Sequence, residues 1–239
     1  MSSGKVYLIP TVLHEDVLET IPAYILDAVK DCQVFFVENE KTARRFLKKL
    51  WKEMVIDDHQ WFVIHKAEEE VKKQFLQLLQ SGKNIGIISE AGCPGVADPG
   101  QVLVQAAQQA NITVKPLAGP SSVLLALMAS GMNGQCFQFH GYLPIDSFER
   151  KKKIKELEAD SQKRNCTQLF IETPYRNNPL IKDVLESCRE ETMFCIAVDI
   201  TASSETIRTQ SIKKWKQEVP DIHKRLAIFL IHSPYLSIK

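Results

Sequence analysis

The chain carries almost no net charge: 30 Lys and Arg stand against 29 Asp and Glu. There is thus no global field that would by itself announce a nucleic-acid partner. None of the six cysteines, at positions 32, 93, 136, 166, 188 and 195, forms a C-x-x-C pair, and no histidine spacing accompanies them. Neither a metal site nor a disulfide framework is indicated, and reduced thiols in a cytoplasmic protein are the expectation. No apolar run reaches membrane-spanning length, and no repeat or low-complexity tract is visible. The first strand begins within a few residues of Met1, which leaves no room for a signal peptide. Several motifs are missing too. After the first strand the chain reads IPTVLHED where a dinucleotide-binding module needs G-x-G-x-x-G, and the P-loop, G-x-S-x-G and H-E-x-x-H patterns are all absent.

What is present centres on residues 84–100, NIGIISEAGCPGVADPG. Ile85, Ile87 and Ile88 suit a short buried strand. The loop behind it holds Gly92, Gly95 and Gly100 with Pro94 and Pro99. Glycines let main chain approach a ligand, and prolines stiffen the turns. A strand ending in such a loop before a helix is where open α/β sheets hold small molecules.

Around it, strands and helices alternate. Strands are expected at 6–9, 33–38, 61–65, 85–88 and 112–115, with helices at 16–30, 41–52, 67–80 and 102–110. That order predicts βαβ units and a mostly parallel sheet. The turn-rich PLAGPSS, residues 116–122, is the boundary candidate, dividing the chain into α/β domains 1–117 and 118–239. Beyond it come a helix at 123–130, a strand at 136–143, a charged helix at 150–160, a strand at 169–172 and a helix at 179–188. Strands at 194–200, 206–209 and 226–232 complete a second, mixed sheet.

The motifs PT at Pro10, SEAGCPGVADPG, LAGPSSVLLALMASG, FQFHGYLP and FIETPYR occur in order over nearly the whole chain. Together they resemble the tetrapyrrole methylase family of S-adenosylmethionine-dependent methyltransferases, and most nearly the branch that methylates a ribose 2′-hydroxyl of small-subunit ribosomal RNA. The resemblance implies two α/β domains with the cofactor in the cleft between them, the first domain on the acceptor side and the second on the cofactor and dimer side. It also implies a homodimer and small-subunit RNA as partner, with no membrane and no metal. Pro10, Val12, Ala91, Gly92, Cys93, Val96, Ser121, Ser122, Glu172, Thr201 and Ala227 match its cofactor-contacting positions. PTVLHED and DITA depart from the branch pattern, and the chain matches a short form without the extra C-terminal domain. C-methylation of a tetrapyrrole precursor and a cofactor-binding, non-catalytic member are the alternative readings.

Methyl transfer from a sulfonium needs alignment and a dry site more than reactive side chains. A hydroxyl acceptor must also lose its proton. Glu38, Glu90, Asp98 and His140 are the candidate bases, with Arg44, Arg176 or Tyr175 orienting the acceptor. Glu38, Arg44 and Arg176 are the leading catalytic set, since Glu38 ends an apolar strand at the sheet edge of the main loop. Asp98 reads better as the N-cap of a capping box with Pro99 and Gln101. His140 reads better as a packed histidine and Cys93 as a small loop residue. The basic stretches 41–52 and 150–155 could track a phosphate backbone or simply face solvent.

Overall fold

Ten strands and eight α-helices are distributed over two five-stranded sheets, among the residues 3–15, 17–64 and 68–234 that this computed structural model describes. The chain divides into two units, Met1–Ser121 and Ser122–Lys239.

The first unit is a wholly parallel sheet in the order β3-β2-β4-β1-β5. Its strands are β1 (Val6–Ile9), β2 (Val34–Val37), β3 (Gln60–Val63), β4 (Ile85–Ile88) and β5 (Val114–Pro116). The central strands are apolar on both faces because helices cover both. Tyr7, Ile9, Phe35, Val37 and Ile88 pack against α1 (Ile25–Lys30) and α2 (Glu40–Leu50). Val6, Val34, Phe36, Ile85 and Ile87 pack against α3 (Glu68–Gln80) and α4 (Gln101–Gln109).

The second unit is a mixed sheet in the order β6-β7-β10-β8-β9. Its strands are β6 (Phe137–Tyr142), β7 (Thr167–Ile171), β8 (Met193–Val198), β9 (Thr206–Ser211) and β10 (Ala227–His232). β6 and β7 run parallel, while β10 runs antiparallel to both β7 and β8. The helices are α5 (Ser122–Ser130), α6 (Ser147–Arg164), α7 (Asn177–Ser187) and the short α8 (Ile212–Trp215). Ile154, Leu157, Leu180, Val184, Phe170 and Phe229 form the core beneath α6 and α7.

The expected helix at 16–30 is not continuous. A short 3-10 turn (Leu18–Thr20) gives way to an extended Ile21, and the α-helix starts only at Ile25. Ile21 precedes Pro22, whose ring disfavours a helical conformation in the residue before it. Asp16, His65 and Ala67, the ends of three expected elements, lie outside the described residues. The charged helix α6 is much longer than the 150–160 stretch, because Asp146 caps its start through the Glu149 amide and Asn165 closes it in the left-handed conformation.

Candidate functional site

Strands β1 and β4 are neighbours, so the loops at their carboxyl ends emerge side by side. They are tied across Thr11 and Gly92: the Thr11 amide donates to the Gly92 carbonyl at 2.9 Å and the Gly92 amide returns a 3.3 Å bond. Gly92 has a φ of 74°, a region that a residue with a Cβ avoids. A third strand of backbone, 119–120, closes the group. A Cβ on Gly119 would lie 2.1 Å from the Pro10 Cβ, and the Cys93 thiol approaches the Pro120 carbonyl at 3.5 Å. Burial pushes that thiol's pKa up, with Asp98 adding to the effect, so Cys93 is a packing residue rather than a nucleophile. Ala91 is exposed, Val12 half-buried against the core, and Val96 stands on an exposed shoulder of the loop.

Asp98 organises the loop, although not as the expected capping box. Helix α4 starts at Gln101 with Gly100 as its N-cap. The Asp98 carboxylate instead accepts the Gly95 amide at 2.6 Å and the Gly100 amide at 2.7 Å, folding the loop onto itself. Burial raises its pKa against the pull of those two amides.

Glu38, at the end of β2, accepts the Glu90 amide at 2.9 Å, and the Glu90 carboxylate in turn accepts the Thr42 hydroxyl. Glu38 thus holds the backbone at the start of the glycine loop. Arg44 pairs with Glu40 and lies over the Trp61 ring, 5.0 Å from its centroid. Trp51 packs against the core beneath Lys30.

In the second unit, Glu172, Thr201 and Ala227 come to one end of the mixed sheet. β10 is antiparallel to β7 and β8, so its start lies beside their ends, with Ile228 opposite Ile171 and Ala227 opposite Val198. Glu172 follows β7 and is buried; one carboxylate oxygen takes the Thr173 amide at 2.6 Å and two guanidinium bonds from Arg176. Its other oxygen is buried without a hydrogen-bond partner among the described residues, as is the Thr201 hydroxyl. Thr201 holds a φ of 76° and Asp199 one of 49°, an uncommon conformation for residues with side chains, and for β-branched Thr a costly one. Arg225 supports this turn: its guanidinium donates to the Asp199 carboxylate at 2.9 Å and to the Ser204 carbonyl at 2.8 Å. The Thr201 amide donates to Glu205 at 2.7 Å. Arg225 and Glu205 follow no spacing that points to them. His140 is a packed histidine, bonded to the Gln168 side chain at 2.6 Å with its pKa lowered by burial.

The sequence candidates therefore gather in two groups. Pro10, Ala91, Gly92 and Cys93 surround the tied loops of the first unit, where Ser121 ends the unit. Glu172, Thr201 and Ala227 share a sheet end in the second unit, where Ser122 opens α5. A carboxylate oxygen and a hydroxyl that are buried yet unpaired would be costly unless a ligand satisfied them. They fit a nucleoside, whose amino and hydroxyl groups are donors, and the tie between Gly92 and Thr11 fixes the backbone of the glycine loop beside it.

The sequence profile described as Tetrapyrrole (Corrin/Porphyrin) Methylases matches residues 18–215. The chain belongs to this family. Among curated relatives it is similar to the Ribosomal RNA small subunit methyltransferase I of Vibrio cholerae, 33% identical over 230 residues that cover 95% of this chain and 76% of that protein. The protein of the same name from Escherichia coli O157:H7 is 29% identical, over 86% of this chain and 68% of its own length. Among solved structures, the methyltransferase CobJ superposes with a TM-score of 0.63 at 16% identity, over 97% of this family member and 95% of CobJ. A uroporphyrin-III C-methyltransferase from Thermus thermophilus, solved with S-adenosyl homocysteine, gives 0.55 at 14% identity over 96% and 97%. At these identities the two structures speak for the fold alone.

Proposed function

We propose that the protein is an S-adenosylmethionine-dependent methyltransferase whose acceptor is a ribose 2′-hydroxyl of small-subunit ribosomal RNA. The observation that carries the cofactor assignment is the pair of buried, unpartnered acceptor atoms on Glu172 and Thr201 at one sheet end. The acceptor rests on the names of the curated relatives, which are ribosomal RNA methyltransferases along nearly the whole chain. Cofactor contacts are assigned to Pro10, Val12, Ala91, Gly92, Cys93, Val96 and Ser121 in the first unit, and to Ser122, Glu172, Thr201 and Ala227 in the second. A cytoplasmic homodimer completes the reading.

The cofactor, when bound, supplies an activated methyl group on a sulfonium. The protein's residues then bind, orient and handle a proton. Gly92, tied to Thr11, holds the glycine loop in a fixed geometry, and Arg176 holds the Glu172 carboxylate so that one oxygen stays available. Glu38 is the assigned proton acceptor at the end of β2, and Arg44 is assigned an orienting role beside it.

Incubation with methyl-labelled S-adenosylmethionine and purified small ribosomal subunits tests the reading. Label in RNA that survives as a 2′-O-methyl nucleoside supports it. Label only in uroporphyrinogen supplied in parallel assigns C-methylation instead, and binding without transfer to either assigns a non-catalytic role consistent with the altered PTVLHED and DITA segments. Glu38→Gln should abolish turnover while leaving cofactor affinity intact; unchanged turnover removes Glu38 as the base.

A further inference from the structure

The first unit contains a cleft of about 140 Å³ between the segment after β1 and helix α2, distinct from the residues assigned to catalysis above. Thr42, Arg45, Phe46 and Lys49 line it from α2, with Glu15 and Glu90 opposite. Their spacing of three, four and seven residues places the α2 side chains on one helix face. Two other cations of the same basic stretch are engaged elsewhere. Lys48 closes the helix end by donating to the Lys52 carbonyl at 2.6 Å and the Met54 carbonyl at 2.9 Å, and Arg44 lies over Trp61.

We propose that this cleft is the subsite for the acceptor strand's sugar–phosphate backbone, with Arg45 and Lys49 neutralising one phosphate. The inference rests on the RNA-methylating function proposed above and deepens it by naming the residues that seat the substrate. Three features carry it. Arg45 and Lys49 lie one helical turn apart, a spacing that lets both reach the same anion. Their present partner is Glu15: its carboxylate pairs with Arg45, and its carbonyl accepts the Lys49 ammonium at 3.0 Å. The Arg45–Glu15 pair is 51% and 64% exposed, and exposed pairs are weak, so a phosphate replaces that carboxylate at little cost. The cleft also continues to Thr11 and to Val12 and Ala91, two of the assigned cofactor contacts.

The test measures binding of a fluorescein-labelled single-stranded RNA oligonucleotide, by anisotropy, across a salt series with the full chain. Each lost phosphate contact lowers the salt slope, log K against log salt, by about 0.7 for single strands. Arg45→Ala and Lys49→Ala should each weaken binding and flatten the slope, by no more than about that amount between them, with the affinity for S-adenosylhomocysteine unchanged by calorimetry. Glu15→Gln, which removes the carboxylate facing Arg45 and leaves the Lys49 bond to the residue-15 carbonyl in place, should tighten RNA binding. Wild-type RNA affinity and slope in all three variants overturn the inference and leave the methyltransferase reading standing. No RNA binding in wild-type protein that does bind S-adenosylhomocysteine overturns both the cleft assignment and the RNA acceptor. A protein that binds neither overturns the function on which the inference rests.

Discussion

At position 119 a methyl group has nowhere to go. An added Cβ would lie 2.1 Å from the Pro10 Cβ, so Gly119→Ala must push the 119–120 backbone off the glycine loop. Overpacking of this kind costs about 1–3 kcal/mol. Because the displaced segment borders the assigned cofactor contacts, affinity for S-adenosylhomocysteine should fall about tenfold or more by calorimetry; an unchanged affinity would show that this backbone does not shape the site. Two histidines make a second prediction. Burial lowers the pKa of both His140 and His232 below the ordinary value of 6.5. The unfolded chain therefore binds more protons between the folded pKa values and 6.5, so stability is full above 6.5 and is lost as pH falls through that window. The urea midpoint should drop between about pH 7.5 and about pH 5.5, and less so in His140→Gln; a flat midpoint contradicts the assignment. At this scale the glycines, the serines and Glu172 were legible as motif positions. Arg225 and Glu205 were not, because they act by supporting a strained turn that no local pattern announces, Arg225 from 26 residues away in the chain.

Among the elements, α6 and α7 are joined by a buried ion pair. The Arg150 guanidinium donates to the Asp183 carboxylate at 2.7 Å, Ser147 donates to the same group at 3.0 Å, and both charged side chains are only 5% exposed. Removing one partner strands the other charge, at about 3–5 kcal/mol. Asp183→Asn should lower unfolding stability by roughly that amount in urea, whereas Asp146→Ala at the α6 N-cap should cost about 1 kcal/mol. Equal losses from the two would contradict the buried pair's larger role. Arg150 reads in the sequence as one of a run of solvated basic residues; only packing against α7 shows that it is buried. The helix expected at 16–30 failed for a reason visible beforehand in Pro22, whereas strands β1, β2 and β4 followed their apolar runs closely because burial on both faces leaves no alternative. The capping-box expectation at Asp98 missed because its carboxylate finds the nearer Gly95 and Gly100 amides.

For the whole molecule, the alternation of strands and helices was enough to assign two α/β sheets, one parallel and one mixed, since parallel strands require covering helices and leave a distinct apolar signature. The proposed acceptor was not legible in residue chemistry; it rests on the motif resemblance and on the names of the curated relatives. Ligand linkage supplies a prediction at this scale. A ligand that binds only folded protein adds about 2.7 kcal/mol at one hundred times its Kd. S-adenosylhomocysteine should therefore raise the thermal midpoint in a concentration-dependent way, and Glu172→Gln should reduce that rise by removing the available carboxylate.

The most direct test is calorimetric titration of the folded protein with S-adenosylhomocysteine. The account predicts saturable binding that is weakened by both Gly119→Ala and Glu172→Gln. Absence of any binding heat across a temperature series, in material whose circular dichroism is that of a folded α/β protein, would contradict it.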